Sequence, residues 1–250
     1  MVKVFNSLQR QNLSEQVVHE IGLSIMRNDF KPGDTLSSEP ELSLQFNVSR
    51  PVMREALKIL SAKGLIESRP RTGTKVRPRA DWNILDPDVI GWLYEVGPDR
   101  SFLDALCEVR LMFEPTAARL AAARGTEEEI KTIEECYRHM EEGVNAPETY
   151  IPADMAFHTA ICVAAHNEML QKITETLTTS LHVSRVVTSH LPGANLAAMP
   201  LHWSVAEAIR KGDEQAAEEA MRKLVILTAG DIQRALEQKR EAQRAVEAPD

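Results

Sequence analysis

Long apolar runs, aromatic residues and paired cysteines are all scarce in this sequence of 250 residues. No run approaches the ~20 apolar residues that a membrane-spanning helix needs. Lys3 and Arg10, near the N-terminus, are not followed by the apolar segment of a signal peptide. The three cysteines lie far apart and are odd in number, which argues against disulfides or a zinc cluster and for reduced thiols. These absences predict a cytoplasmic protein with no membrane partner.

The sequence is poor in aromatic residues and rich in residues that favour α-helix. Only 5% of the chain is aromatic, whereas 43% is hydrophobic and alanine, leucine and glutamate are abundant. A chain of 250 residues also exceeds the usual ~100–150 residues of a single domain. The composition therefore predicts a mainly α-helical protein with two domains.

Charge is distributed unevenly along the chain. Residues 1–79 contain 13 basic and 8 acidic side chains, a net charge of +5, and the remainder contains 16 basic and 29 acidic side chains, a net charge of −13. A basic domain joined to an acidic one is typical of proteins in which one domain holds DNA and the other avoids the phosphates.

The segment 36–76 fits a helix-turn-helix followed by a β-wing. Ser38 can cap a short helix, with Pro40 in the first turn where its missing N–H costs nothing. A break follows at 46–47, and Ser49 caps a second helix with an apolar face. Such a pattern also occurs in many all-α proteins that do not bind DNA, so the basic charge of this region is what favours DNA binding.

The second helix and the wing carry the predicted DNA contacts. Basic residues at the start of a recognition helix meet base edges and phosphates. Two short strands at 65–68 and 74–76 flank a turn, which forms the wing. The predicted DNA-contacting residues are Ser49, Arg50 and Arg54 at the helix start, with Arg71 and Gly73 in the turn of the wing.

Several groups of residues follow one another here in a fixed order: Pro32-Gly33-Asp34, Ser38-Glu39-x-Glu41-Leu42, Val48-Ser49-Arg50-x-x-x-Arg54-Glu55-Ala56-Leu57 and Gly64-Leu65-Ile66. This order resembles the winged-helix domain of GntR-type bacterial transcription regulators, although that family usually has Arg where this chain has Pro40. The rest of the chain resembles the FadR branch, whose second (FCD) domain is an all-helical ligand-binding bundle. The stretch Glu108-Val109-Arg110-x-x-x-Glu114-Pro115 is most similar to repressors of galactonate-type sugar-acid operons.

These patterns divide the chain into four expected regions. Residues 1–79 form a winged helix-turn-helix, and 80–98 form a linker and the first helix of the second domain. Residues 99–238 form an all-helical effector and metal-binding domain, and 239–250 form a disordered tail. Helical patterns run over 87–95, 100–123, 126–142, 148–165, 167–189, 199–211 and 213–238.

Ionisable side chains lie on helical stripes that should face the core of the bundle. Asp154 and His158 share the apolar stripe of the 148–165 helix, and His202 lies on the apolar stripe of the 199–211 helix. A simple hydrogen-bonded pair explains the first spacing as well as a metal site does. A carboxylate and two imidazoles on rigid helices suit a divalent transition metal such as zinc.

The family resemblance favours the metal. In the metal-binding domains of the FadR branch, an Asp-x3-His pair is followed by a His on another helix, which implies that Asp154, His158 and His202 are ligands here. Those domains commonly add a His on the last helix, where this chain has Leu224. An ion held by three protein ligands keeps positions open for water or for oxygens of an effector.

Two arginines are candidates for binding an effector. Arg110 lies on the apolar stripe of the 100–123 helix, and one interpretation is a buried ion pair with Glu114 one turn later. The other is a clamp for a carboxylate, because a guanidinium offers that group two parallel donors. Arg185, on the 167–189 helix, is the second candidate.

The sequence as a whole predicts a DNA-binding transcription regulator, a repressor released from a double-stranded operator by a small carboxylate such as a sugar acid. A homodimer is expected from the resemblance and because one winged helix makes few contacts, so that paired half-sites supply the rest. A metal sensor and a metal-dependent hydrolase would use the same Asp/His/His group. Two observations argue against an enzyme. No general base or nucleophile accompanies that group at a recognisable spacing, and an enzymatic function would not explain the basic domain at residues 1–79.

Overall fold

The structure is a computed structural model that describes residues 13–69, 73–97 and 100–247. The chain divides into two compact units, Met1–Gly97 and Pro98–Asp250. The described residues form ten α-helices, a 3₁₀ turn and a two-stranded antiparallel sheet. The predicted fold class, a winged helix-turn-helix followed by an all-α bundle, is confirmed.

The first unit is built from α1 (Leu13–Met26), α2 (Glu39–Gln45), α3 (Arg50–Ala62), β1 (Ile66–Arg69), β2 (Gly73–Val76), a 3₁₀ turn (Arg79–Asp81) and α4 (Pro87–Val96). Helix α3 packs against α1 and α2, and its apolar face buries Met53 and Leu60 completely. The two strands pair with Ile66 opposite Val76, which form the inner end of the wing hairpin. The amphipathic α3 is thus held by its apolar face, which leaves its polar face to solvent.

Helix α4 packs in the first unit, whereas the sequence pattern predicts a linker and the first helix of the second domain over 80–98. Val89, Trp92 and Leu93 join the hydrophobic core formed by α1 and α3. The indole nitrogen of Trp92 donates a hydrogen bond to Nδ1 of His19 at 2.9 Å. The reason for the difference is that an apolar stripe shows that a helix is buried but not which core buries it.

The second unit is a bundle of six helices, α5 (Arg100–Arg124), α6 (Glu127–Glu142), α7 (Pro147–Ala164), α8 (Glu168–Ser189), α9 (Ala194–Arg210) and α10 (Glu214–Glu247). Helix α10 packs against α5 and α9, and α7 packs against α5, α6 and α8. Thr126, Asn167 and Asp213 accept hydrogen bonds from the first-turn N–H groups of α6, α8 and α10 and so cap these helices.

Two ends differ from the sequence prediction. Helix α9 starts at Ala194 and not at the predicted residue 199, so Pro200 lies inside the helix and not in its first turn. Helix α10 continues to Glu247, past residue 239 where the sequence predicts the start of a disordered tail, and 248–250 lie outside the described residues. The segment 239–247 contains neither Gly nor Pro, so it offers no signal to stop the helix. In the part of the chain that the structure describes, no helix combines the length and the apolar character that crossing a membrane requires.

Candidate functional site

The start of the helix-turn-helix is fixed by short-range hydrogen bonds. The carboxylate of Glu41 accepts from the backbone N–H and from the hydroxyl of Ser38, both at 2.8 Å. Asn47 takes a φ of 51° in the turn that leads to α3. Ser49 occupies the N-cap position of α3 as expected, but its hydroxyl makes no capping hydrogen bond to the described residues. The hydroxyl is therefore available to an outside group.

Arg50 and Arg54 are both exposed on the first turns of α3, as expected, but Arg54 is already paired. Its Nη2 lies 2.8 Å from Oε1 of Glu39 on α2, and its Nε lies 3.2 Å from Oε2. This hydrogen-bonded pair lowers the pKa of Glu39 and raises the pKa of Arg54. Arg54 remains 63% exposed, so the edge of the guanidinium that carries Nη1 is left for a phosphate or a base. Sequence reasoning did not identify Glu39 as its partner.

The wing is described only in part. Arg71 lies outside the described residues, so its predicted contact stays a prediction. Gly73 begins β2 with a φ of 81°, in the left-handed region that glycine adopts without strain. Its predicted role can therefore come only from its backbone and from the shape of the turn.

In the second unit, four helices bring the predicted metal and effector residues together. They line one cavity of about 30 Å³, room for about one or two water molecules. Helix α5 contributes one residue, α7 contributes two, and α8 and α9 contribute one each. The residues are Arg110, Asp154, His158, Arg185 and His202.

The spacing of the Asp/His/His group fits a metal ion. Oδ1 of Asp154 lies 3.0 Å from Nε2 of His202 and 3.8 Å from Nε2 of His158, and the three donor atoms lie within 4.8 Å of one another. Zinc bonds of about 2.0–2.2 Å hold neighbouring ligand atoms roughly 3.0–3.5 Å apart. The donors are therefore close to the separation that a single ion needs.

The tautomer of His202 supports the same conclusion. Its Nδ1 lies 3.0 Å from the carbonyl oxygen of Ala198, and because a carbonyl only accepts, Nδ1 carries the proton. Burial, with the nearby His158 and Arg185, holds the pKa of His202 well below its ordinary value, so the ring is neutral. Its Nε2 lone pair then faces a carboxylate oxygen of Asp154. A backbone carbonyl behind the ring and a lone pair in front of it are typical of a metal-binding histidine.

Glu114 links the arginine and histidine parts of the site. Its Oε1 accepts a 2.6 Å hydrogen bond from Nε of Arg110, and its Oε2 lies 3.0 Å from Nδ1 of His158. Burial opposes the charged form, but Arg110 and His158 outweigh it and hold the pKa of Glu114 well below its usual value. The Arg110–Glu114 ion pair that the sequence suggested is therefore present. It also places a carboxylate behind His158, whose Nε2 then faces Asp154.

The two arginines nevertheless keep unused donors. Nε of Arg185 binds Oδ2 of Asp154, and its Nη1 donates to the carbonyl of Leu181 at 3.2 Å. Nη2 of Arg185 and Nη1 of Arg110 are buried without a hydrogen-bond partner among the described residues. Burial and the charge of Arg110 lower the pKa of Arg185 to about 9, which leaves it charged at neutral pH. An unpaired buried donor costs roughly 1–3 kcal/mol, more when charged, so both nitrogens need an acceptor from outside the described residues.

Helix α10 contributes residues that sequence reasoning missed. Leu224 is buried in the apolar core and offers no ligand, as expected. One and two turns later, Thr228 and Asp231 line the cavity. The stripe of Leu224 and Thr228 continues at i+7 to Asp231, so a buried carboxylate on an apolar stripe was the available signal.

Comparisons with known proteins agree with this division of the chain. Residues 13–76 match the family described as bacterial regulatory proteins, gntR family, and residues 105–226 match the FCD domain. The galactonate operon transcriptional repressor of Escherichia coli K12 is 34% identical over 213 residues, which cover 84% of this chain and 92% of that protein. The transcriptional regulator YieP of the same strain, itself uncharacterized, is 31% identical over 219 residues, 86% of this chain and 94% of that protein.

One solved structure supports the fold alone. It is the Listeria monocytogenes protein Lar, described as controlling expression of the agr system. It superposes with a TM-score of 0.61 at 18% identity and covers 93% of this chain and 99% of that one.

Proposed function

The chain belongs to the GntR family of bacterial transcription regulators, with an FCD domain in its second unit, and we propose that it is a repressor released from its operator by a small carboxylate. Regulators of this family bind DNA operators. The relatives and both matched domains are those of transcription regulators, so the chain is not an enzyme and the hydrolase alternative is wrong.

The observation that carries the proposal is the pair of unpaired guanidinium donors in the bundle. Arg110 and Arg185 come from different helices and each leaves one buried nitrogen without a partner among the described residues. A carboxylate supplies two acceptors in one plane and would satisfy both. Arg110 and Arg185 are the two buried arginines among the described residues, and both line this cavity.

A metal completes the proposed site. Asp154, His158 and His202 would hold one divalent transition metal, with Glu114 and the Ala198 carbonyl behind the two rings. Bound there, the ion would supply positive charge and open coordination positions for oxygen atoms. The donor spacing and the lone pair of His202 support this assignment.

The name of one relative supports a proposal for the class of acid. One of them represses the galactonate operon, and galactonate is a sugar acid. We therefore assign the effector to the sugar acids, of which an aldonate is the simplest example.

Release of DNA requires that the acid and the DNA favour different states. In the proposed homodimer, each winged helix reads one half-site, and the acid stabilises a bundle state in which the two recognition helices no longer match the half-sites. Such coupling is reciprocal, so DNA weakens acid binding by the same factor by which the acid weakens DNA binding.

The test is a DNA-shift experiment on the full-length protein. Operator DNA is selected from random sequence by repeated binding, and the complex is titrated with aldonates, with zinc or with a chelator present. We expect release only when metal and acid are both present. Release by zinc alone would favour the metal-sensor alternative, and retention of DNA under all conditions would overturn the proposal.

A further inference from the structure

Arg54 on α3 is held by a carboxylate of α2. Glu39, the first residue of α2, accepts hydrogen bonds from Nε of Arg54 at 3.2 Å and from Nη2 at 2.8 Å. The two side chains thus form a fork that bridges the helix-turn-helix. Both are partly exposed to solvent, and ion pairs of this kind add little to folding stability. The fork is better explained by what it does to the guanidinium.

The fork uses one edge of the guanidinium and leaves the neighbouring edge free. Nε and one N–H of Nη2 point at Glu39, so the other N–H of Nη2 and an N–H of Nη1 lie side by side on the next edge. The side chain of Arg54 is 63% exposed, which keeps this edge open to an outside group. Arg54 therefore presents two parallel donors in an orientation that Glu39 fixes.

Glu39 is itself anchored by the first turn of its helix. The hydrogen bonds from the backbone N–H and the hydroxyl of Ser38 to Glu41, both at 2.8 Å, fix the start of α2. Pro40 restricts the backbone within the same turn. Because Arg54 is tied to a well-defined backbone position, its side chain loses less freedom when it binds a partner.

The carboxylate beside Arg54 favours an uncharged partner over a phosphate. Glu39 balances the charge of the guanidinium, and a phosphate on the free edge would bring a second anion close to that carboxylate. A base edge meets no such repulsion. In the major groove, guanine is the single base that presents two acceptors, O6 and N7. Adenine presents an acceptor beside a donor, thymine an acceptor beside a methyl group, and cytosine a donor.

We infer that Arg54 reads a guanine in the major groove of the operator and that Glu39 positions it for that contact. The contact rests on the operator binding of the proposed function, with α3 as the recognition helix, and requires neither the acid nor the metal. Glu39 is a positioning residue, because it acts on the base through Arg54. Each α3 that binds the operator therefore requires a guanine at one base pair.

The experiment removes one acceptor of the guanine. In 7-deazaguanine a C–H group replaces N7, and the base still pairs with cytosine. The operator that wild type selects from random DNA is synthesised with 7-deazaguanine at each guanine in turn, and affinities are measured at matched salt by fluorescence anisotropy. We expect one guanine for each bound α3 at which this change weakens wild-type binding ~10-fold, the scale of one hydrogen bond from a charged donor.

Arg54→Ala should abolish the sensitivity to that change. The variant should bind the unmodified operator ~10-fold or more weakly and lose nothing further at that guanine, because the donors are gone. Lys58→Ala, at an exposed position one turn later on α3, is the matched control and should keep the full loss. If Arg54→Ala binds too weakly to measure, all proteins are compared at lower salt, where DNA binding strengthens.

Glu39→Gln tests the positioning role. The substitution keeps the shape of the side chain but removes the charge and one acceptor of the fork. We expect the loss caused by 7-deazaguanine to fall to about 3-fold or less, because Arg54 is no longer held in one orientation. Glu55→Gln removes an acidic charge from an exposed position of α3 and is the control. It should keep the full loss, as would Glu39→Gln if Glu39 were merely structural.

The outcomes separate the guanine contact from operator binding itself. If 7-deazaguanine weakens wild type and Arg54→Ala alike at every guanine, or at none, Arg54 reads no guanine and the assignment is overturned, while operator binding stands. If Arg54→Ala abolishes the loss but Glu39→Gln keeps all of it, the positioning role of Glu39 is overturned. If wild type selects no sequence from random DNA, the operator binding of the proposed function fails together with the guanine contact.

Discussion

The unprotonated nitrogen of His202 faces a carboxylate oxygen of Asp154 at 3.0 Å. Two acceptors at that distance repel unless a cation or a proton lies between them. His202 has its proton on the opposite nitrogen, held by the Ala198 carbonyl, so the proton must come from Asp154 or the cation from solution. With His158 beside them, the arrangement favours a metal.

Metal uptake is the first prediction. We expect full-length protein loaded with zinc and then desalted to retain one ion per chain, and His158→Ala to lose it, because two ligands hold zinc far less tightly than three. Elemental analysis measures the content. His166→Ala is the matched control, since that exposed ring pairs with Glu129 and not with the cavity. Equal uptake by wild type and by an Asp154→Ala, His158→Ala double variant would show that the group holds no metal.

Stability should depend on pH through His202. Its pKa is depressed in the folded state, so below the ordinary value of about 6.5 the unfolded chain binds a proton that the folded one does not. Stability is therefore present above that pH and is lost as pH falls, at up to about 1.4 kcal/mol per pH unit for this group. Glu114, also with a depressed pKa, contributes only at more acidic pH, below the ordinary carboxylate value of about 4.3.

Denaturant unfolding at pH 7.5, 6.5 and 5.5 in the presence of a chelator measures this effect. His202→Gln should flatten the dependence between pH 6.5 and 5.5. His182→Gln, at an exposed position of α8, should leave it unchanged. A His202→Gln profile that runs parallel to wild type would mean that folding does not lower the pKa of this ring.

Arg110 should be needed for release but not for DNA binding. The simple substitution Arg110→Ala leaves Glu114 buried without its cationic partner, which costs about 3–5 kcal/mol in comparable sites. We expect Arg110→Ala to unfold at markedly lower denaturant concentration. Changing Glu114 to Gln at the same time removes the unpaired charge and should restore much of the stability.

The double variant Arg110→Met, Glu114→Gln then tests the clamp. We expect it to bind operator like wild type and to resist release by a sugar acid, with at least a ~10-fold shift in the acid concentration needed. Glu114→Gln alone is the control and should still be released. Release of the double variant at the wild-type concentration would reduce Arg110 to a structural partner of Glu114.

At the first unit, both arginines of α3 should contribute to operator binding, and Glu39, which pairs with Arg54, should modulate it. Arg50→Ala and Arg54→Ala should each weaken operator binding by about 1–3 kcal/mol if the side chain reads a base. Glu39→Gln frees Arg54 and removes a negative charge, so it should strengthen binding to random DNA. The ratio of operator affinity to random-DNA affinity should then fall. Titrations at matched salt give both quantities, and unchanged operator binding by both arginine variants would show that α3 is not the recognition helix.

Packing of α4 in the first unit gives a stability prediction. A Cβ at Gly22 of α1 would lie 2.6 Å from ring carbons of Trp92 on α4. Gly22→Ala must displace the indole, and we expect a loss of about 1–3 kcal/mol despite the better helix propensity of alanine. Denaturant unfolding followed by tryptophan fluorescence measures this loss in the free energy of unfolding. Gly91→Ala, where no atom lies within 4 Å of the added carbon, is the control and should be neutral or stabilising.

Local sequence signals predicted most of the fold. The ends of α5 to α8 were predicted to within one residue, because Thr126 and Asn167 are strong N-caps and glycine or proline interrupts the chain between helices. The start of α9 was missed because Pro200 suits a first turn better than a helix interior, a local preference that tertiary packing overrode. The assignment of α4 depended on partners distant in the sequence.

The sequence identified most residues that line the cavity but not the contacts between them. Periodicity placed Asp154, His158 and His202 on core-facing stripes, and the structure brings them together. That Arg185 of α8 would bind Asp154 of α7 could not be read from spacing, because it depends on how two helices are rotated against each other. Asp231 was overlooked because α10 is rich in charge, so one more acid did not stand out.

If the chain is the proposed acid-responsive repressor, the small size of the cavity in the bundle limits how fast it can respond. At about 30 Å³ the cavity has room for one or two water molecules, so under the proposed function its lining rearranges when a six-carbon acid binds. Adding more acid speeds entry only until that rearrangement becomes the slow step. Beyond this concentration, the proposed release from DNA would take a time set by the protein's own motion, and a higher concentration of the acid would no longer shorten it.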